Sequence, residues 1–328
     1  MREHTMQRPR GIRRIVAAIT AVVLAGGLVA CGSTGARSLV DSIESGSVIL
    51  GTKFDQPGLG LRKPDKSMSG FDVDVSEYVV NAIAEANGWQ KPTIRWRETP
   101  SAQRETLINN GEVDMITATY SINASRSKKV DFAGPYLVVR QGLLVRNDDS
   151  SLGQLADLDK GKILCSAAGS TSAQNVKAQL PGVQLQEFDS YSTCTEALHQ
   201  GRIDALTTDE SILAGFNEQY SGEFRVVDMT YLTDQCIKGS QKKAGNPFST
   251  ERYGIGLAKN DAKSKAALNE AIAKMIADGS WERALRKNLG ATETQRLIDR
   301  AGGFDKFKPS VGDLAFVDAP ASKCGGAA

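Results

Sequence analysis

The side chains able to do chemistry are unevenly supplied in this chain of 328 residues. Only two histidines occur, His4 and His199. That nearly removes histidine-based zinc sites and leaves His199 alone as a base for a nucleophilic triad. A second pattern is carried by two hexapeptides ninety positions apart, Asn110-Gly111-Glu112-Val113-Asp114-Met115 and Gln200-Gly201-Arg202-Ile203-Asp204-Ala205. Both read as a helix end, a glycine, one charge, a β-branched residue, an aspartate and a strand start. At that offset Thr119 corresponds to Asp209, each just past the carboxyl end of its strand, where open α/β sheets bind ligands. Such a short match is also a common helix-to-strand turn. If each copy belongs to its own lobe, facing strand ends would line a cleft.

The elements that must position these residues follow from apolar periodicity. Ser47–Phe54 is a short apolar run that predicts the first strand. Gly70–Val75 opens a helix whose apolar face is Val75, Val79, Ile83 and Ala82 or Ala86, with a stop signal at Asn87-Gly88. Thr93–Trp96 predicts a strand, Ser101–Asn109 a helix and Val113–Thr119 a third strand. The same grammar returns in Lys162–Ser166, Ser172–Leu180, Val183–Phe188, Thr193–Gln200, Ala205–Thr208 and Ser211–Asn217, strand and helix by turns. Tyr253–Ala258 predicts a last strand; Ala262–Ala277, residues 281–289 and an amphipathic segment to about Phe307 predict helices, before an extended tail. Alternating strands and helices predict an α/β protein with mostly parallel sheets under covering helices. At roughly 150 residues per domain the chain has room for two. With 40 basic and 38 acidic residues and no basic stripe, nucleic acid is disfavoured as a partner.

The N-terminus reads as an address. Arg2, Arg8, Arg10, Arg13 and Arg14 stand against one acid, Glu3, and Ile15–Ala30 is then free of charge for sixteen residues. A spanning helix needs about 20 apolar residues, so a basic flank before a shorter run predicts a signal peptide over 1–30. Leu28-Val29-Ala30-Cys31-Gly32 resembles the lipobox of bacterial lipoproteins. That implies cleavage before Cys31 and a diacylglyceryl anchor on its thiol, with two acyl chains sufficient for stable attachment. Residues 31–45 read as a tether. Removing five arginines and one glutamate turns a net charge of +2 into −2. Export leaves Cys165, Cys194, Cys236 and Cys324 in an oxidising compartment, with three pairings open. Cys165 and Cys194 fall inside one predicted lobe, which favours Cys165–Cys194 with Cys236–Cys324.

The run Gly70-Phe71-Asp72-Val73-Asp74-Val75-Ser76-Glu77-Tyr78-Val79-Val80-Asn81-Ala82-Ile83 resembles the signature of the polar amino-acid-binding proteins of ABC importers. Further pieces follow in that family's order: Asn110–Asp114, Thr119–Arg126, Val130–Tyr136, Gly169–Ser172, Ile203–Ala205 with Thr208-Asp209, Tyr253–Leu257 and Asp278–Trp281. The resemblance covers about residues 45–290 and points most strongly to glutamate/aspartate/glutamine-binding lipoproteins of actinobacteria. It implies a two-lobe clamshell of type II. Lobe 1 would comprise 46–142 and 252–300, and lobe 2 would comprise 143–251. Crossover strands are expected near Gln141–Arg146 and Gln241–Arg252, with 301–328 as an extension outside the match.

The resemblance also assigns roles. A bound amino acid offers a carboxylate, an ammonium and a side chain, all of which a dry cleft must satisfy. Arg126 takes the position of the α-carboxylate ligand, a task suited to a planar fork; by itself it reads as a solvated charge in Ser125–Lys129. Thr171 and Ser172 follow a glycine at a helix start, where N–H groups share the carboxylate, and Ser170 is the alternative N-cap. Asp209, with the Thr119 backbone and the Ser121 hydroxyl, would receive the ammonium; an N-cap role for Asp209 is also open. Lys53, Arg104 with Ser101, and more weakly Arg97 are candidates to meet an acidic side chain. Phe54, Phe71 and Tyr191 are candidate walls, and Phe71 reads equally well as core. The expected ligands are glutamate and aspartate, with asparagine or glutamine secondary. Neither a cofactor nor a metal is called for.

Partners and competing classes follow. A monomeric protein would hand its ligand to a membrane ABC permease, or dock on a membrane receptor as a sensor. Periplasmic dehydratases of cyclic acids share the fold and need a general acid or base in the cleft. Glu98, Glu105 and Asp209 are expected near the cleft but form no recognisable catalytic pair, so the chain is read as a binder and not an enzyme.

Overall fold

A computed structural model describes residues 35–237, 239–317, 323 and 324. The signal peptide expected over 1–30, Cys31 and the first tether residues lie outside the described residues. Within the tether expected over 31–45, residues 39–44 form a helix. Helix α1 (Leu39–Glu44) buries Leu39, Val40 and Ile43, and Arg37 Nε lies 2.8 Å from Asp114 Oδ1. Adjacent apolar side chains with a core to enter gain more by packing than by staying in water.

The chain then builds β1 (Ser47–Thr52), β2 (Asp55–Gln56), β3 (Gly60–Arg62), β4 (Met68–Ser69), α2 (Phe71–Ala86), β5 (Thr93–Glu98), α3 (Arg104–Asn109), β6 (Met115–Ile116), α4 (Ala124–Ser127) and the long β7 (Asp131–Arg146). The second half follows with β8 (Ile163–Ala167), α5 (Thr171–Gln179), β9 (Gln184–Phe188), α6 (Tyr191–His199), β10 (Ala205–Asp209), α7 (Glu210–Gln219), β11 (Phe224–Asp228), β12 (Gln235–Ile237) and β13 (Ser240–Lys242). It returns through β14 (Thr250–Leu257), α8 (Ala262–Ala277), α9 (Ser280–Leu289), α10 (Ala291–Ala301) and α11 (Phe304–Phe307). Among the described residues no helix is long and apolar enough to cross a membrane.

The main sheet runs β5-β1-β6-β14-β7-β10-β8-β9, with β11 also on β7. Strand β7 connects the two halves. It pairs with β14 from Asp131 to Arg140 and with β10 from Gln141 to Val145. The sheets are mixed, not mostly parallel as expected: β1 runs parallel to β5 and β6, and β8 to β9 and β10. The crossover strands run antiparallel to their neighbours. A chain that enters the second half and later returns must carry two strands in opposite directions through the join, and periodicity does not report strand direction.

The repeated hexapeptides are a repeated structure. Gly111 and Gly201 both adopt φ +69°, the left-handed turn that ends α3 and α6. Asp114 Oδ2 accepts from Ile49 N at 2.6 Å, and Asp204 Oδ2 accepts from Ile163 N at 2.7 Å. Each aspartate therefore holds the start of the strand beside its own. Thr119 and Asp209 follow as the corresponding residues beyond β6 and at the end of β10.

Two disulfides close the second half and the tail, Cys165–Cys194 and Cys236–Cys324. Their sequence separations of 29 and 88 residues correspond to about 3.6 and about 4.6 kcal/mol of loop-closure stabilisation. The amphipathic segment expected up to Phe307 forms α10 and α11. Phe307 is buried with its ring centroid 5.5 Å from that of Trp281, and Arg296 and Arg300 of α10 pair with Glu210. Further along, Phe316 lies under the Arg252 guanidinium at 4.4 Å.

Candidate functional site

A narrow cavity of about 10 Å³ lies between the two halves, lined by Ser101, Arg104, Thr119, Arg126, Ser170, Thr171, Tyr191, Asp209 and Ile212. Its first wall comes from the loops after β5 and β6. Arg126, on α4, is 5 % exposed, and its backbone N–H is capped by Asn123 Oδ1 at 2.9 Å. Its Nη1 donates to Ser121 O at 2.7 Å and its Nη2 to Gly169 O at 3.1 Å. Glu105 Oε1 stands 3.5 Å from its Nε. Arg104 is 2 % exposed, its Nε donates to Thr99 O at 3.2 Å, and its buried Nη2 has no partner. Both guanidiniums stack on the Tyr120 ring, at 5.0 and 4.9 Å. Burial, reinforced by the neighbouring Arg126, pulls the Arg104 pKa down.

The facing wall comes from the N-termini of α5, α6 and α7. Ser170 Oγ accepts from Ala173 N at 3.0 Å, a plain N-cap. The Thr171 hydroxyl meets that of Ser121 at 3.2 Å, and the buried Ser172 Oγ has no partner. Asp209 precedes α7 but makes no side-chain cap. Its Oδ2 accepts from Tyr253 OH at 2.7 Å, and its Oδ1 is buried without a partner. Burial, then the nearby Glu251 and Glu210, push its pKa well above the usual carboxylate range. The cavity thus joins two guanidiniums on one side to a carboxylate on the other. Such a set suits a small zwitterion, whose opposite charges would satisfy both.

A family model, the bacterial extracellular solute-binding proteins of family 3, matches residues 48–291. The chain belongs to this family. It is 55 % identical over 316 residues to a glutamate-binding protein GluB of Corynebacterium glutamicum, covering 96 % of this chain and all of that one. It is 36 % identical to a glutamine-binding protein of Geobacillus stearothermophilus, covering 69 % of this chain and 78 % of the relative. Among solved structures, an ancestral arginine-binding protein bound to glutamine superposes with a TM-score of 0.63 at 27 % identity, over 75 % of this chain and 98 % of that one. The protein is therefore an extracytoplasmic solute-binding protein with the two-lobe type II fold.

Within this solute-binding fold, some residues singled out in the sequence lie elsewhere. Arg97 is exposed and pairs with Glu112 at 2.7 Å. It sits on the edge strand β5, where Ile94 and Trp96 are partly covered while Thr93, Arg95 and Arg97 face solvent, so the strand's alternation turns it away. Phe71 is core, packed against Tyr136 and Trp281 with ring centroids 6.0 and 6.3 Å away. Phe54 is half-buried beneath Arg62 at 5.4 Å. Lys53 is buried but its ammonium is engaged by Asp55 Oδ1 at 3.2 Å, and burial pulls its pKa down. His199 pairs with Glu223 on the exposed surface, outside the cavity.

Other residues of the site were not foreseen. Asp55 Oδ2 accepts from Ser192 N and Oγ of α6 at 3.2 and 3.0 Å, so it links the two halves beside the cavity. Tyr120 and Tyr253 lie inside the family-like segments Thr119–Arg126 and Tyr253–Leu257, but their roles depend on which ring faces the arginines or Asp209. Asp72 is the most consequential. Its Oδ2 accepts from Thr119 N at 2.8 Å and its Oδ1 from Tyr136 OH at 2.7 Å. Thr119 sits at φ +47°, a left-handed conformation that a β-branched residue keeps only under external constraint.

Full burial raises the Asp72 pKa from 3.8 to about 6, against the opposing pull of the Tyr136 and Thr119 donors. An acid whose folded-state pKa is raised favours the fold at low pH and loses that advantage as pH rises. The window runs from about pH 4 to just above 6, and the swing is roughly 3 kcal/mol. Asp72→Asn should lack this component. Urea denaturation at pH 4 and pH 7 measures it: the stability difference between wild type and variant should shift by that amount, and pH-independent differences would refute the assignment.

Proposed function

We propose that this solute-binding protein captures glutamate and aspartate, with asparagine and glutamine secondary, and delivers them to a membrane ABC importer. The observation that carries this reading is the pair of buried guanidiniums opposite a buried carboxylate with an unpartnered oxygen. Arg126 and the first turn of α5 would take the α-carboxylate, and Asp209 with Thr119 and Ser121 the ammonium. Arg104, with Ser101, would take the side-chain carboxylate. With Lys53 engaged by Asp55 and Arg97 in solvent, Arg104 becomes the chief cation for selecting an acidic side chain. The similarity to proteins named glutamate-binding supports the same ligand class.

Residues 46–142 and 252–300 would move as one lobe against 143–251, closing over the ligand. The mature protein would be a monomer held to the outer face of the membrane by a lipid on Cys31. It would bind without turnover, since the cavity carboxylate with an unpartnered oxygen, Asp209, is the proposed ammonium ligand and Glu105 serves Arg126.

Calorimetry across the twenty amino acids tests the ligand class. Glutamate and aspartate should bind most tightly, and a preference for leucine or lysine would overturn the reading. Arg104→Ala should weaken glutamate at least tenfold more than glutamine, because only the acid loses a buried ion pair. Equal losses for both ligands would move the selecting role elsewhere.

A further inference from the structure

Gly215 occupies the interior of α7, where glycine destabilises a helix relative to alanine. Nothing in its own backbone requires it, because its φ is helical and not left-handed. The reason lies across the cleft. A Cβ at this position would stand 2.2 Å from the Pro57 carbonyl oxygen and 3.0 Å from its carbon. Non-bonded heavy atoms do not approach so closely, and the obstacle is backbone, which cannot rotate aside. Pro57 belongs to the β2–β3 turn, two residues beyond the Asp55 that bonds Ser192. Two glycine contacts therefore flank the seam, since a Cβ on Gly169 would likewise lie 2.7 Å from Ala102 Cα. Gly169 is the less informative of the pair, because its φ of +73° favours glycine whatever lies opposite.

We infer that Gly215 determines closure: its missing side chain lets α7 reach the Pro57 turn, and only then does the cavity seal around a ligand. This rests on the reading that an amino acid is held by lobe closure. The residue touches none of the cavity side chains in the role of a ligand. Its effect runs through the population of the closed form, which multiplies the affinity of a site completed by both lobes. The open form gains from a helix-forming side chain at 215, whereas the closed form collides with it. Stability and affinity should therefore move in opposite directions, which a merely structural residue would not produce.

The test compares wild type with Gly215→Ala and Gly215→Met by glutamate calorimetry, ligand-free thermal unfolding and small-angle scattering with and without saturating glutamate. Alanine should weaken binding at least tenfold while raising the ligand-free Tm by about 2 °C. Methionine should weaken it further, and both should contract less on adding glutamate than wild type. Affinity within twofold of wild type would overturn the inference, as would a ligand-free Tm that falls in step with affinity. Wild-type protein that neither binds glutamate nor contracts would instead overturn the reading of the site on which the inference stands.

Discussion

Replacing Arg126 by alanine is expected to abolish amino-acid binding, with a loss of about 10³-fold or more in affinity. Removing one partner of a buried, hydrogen-bonded charge pair costs roughly 2–5 kcal/mol, because the other charge stays in the cleft uncompensated. Arg126 is worth the upper end of that range because its fork serves both halves. Nη1 reaches Ser121 O in the first half and Nη2 reaches Gly169 O in the second, while the plane stacks on Tyr120. Lysine supplies a point charge without the fork, so Arg126→Lys should recover little. Isothermal calorimetry with glutamate, alongside the ligand-free melting curve, distinguishes lost binding from lost folding. An affinity within tenfold of wild type would remove Arg126 from the site.

Asp209→Asn should weaken binding by at least about 100-fold, because an amide offers the ligand ammonium no charge. The carboxamide oxygen can still accept from Tyr253 OH, so the local geometry is kept. Stability should respond with the opposite sign. Asp209 is held with a pKa well above the usual range by burial and by Glu251 and Glu210. At neutral pH its ionised form therefore opposes the closed, ligand-free structure. Neutralising it should leave the ligand-free Tm unchanged or higher, while the Tm gain on adding glutamate disappears. A variant that lost stability and kept its ligand-induced Tm gain would reduce Asp209 to a structural partner of Tyr253.

The legible parts of the fold were those written in local pattern. Helix α2 announces itself by its apolar stripe and its Asn87-Gly88 stop, and the two hexapeptides announce a repeated helix-to-strand turn. Short or directional features were less visible. The β2–β3–β4 sheet is built from strands too short to carry a period, and the direction of β7 and β14 leaves no trace in periodicity. Residues that line the cavity were legible where a residue type is tied to a motif position, as for Arg126, Thr171 and Asp209. Arg97 and Lys53 show the limit. Both are cations near the ends of strands, yet one is turned out by strand alternation and the other is engaged by an acid two residues away.

What the sequence determined by itself was the α/β class, the basic and apolar leader pattern, the repeat that sets Thr119 opposite Asp209, and a stock of charges suited to an amino acid. Its family membership follows from the same local order. Tertiary structure decided which of those charges share a cavity and which carboxylate there keeps an unpartnered oxygen. It decided that Asp72 holds Thr119 from far along the chain, and that a glycine in α7 meets the Pro57 turn. The physical reason is range. Propensity, capping and periodicity act within a few residues, whereas burial, charge pairing and steric fit are set by neighbours that only the fold brings into contact.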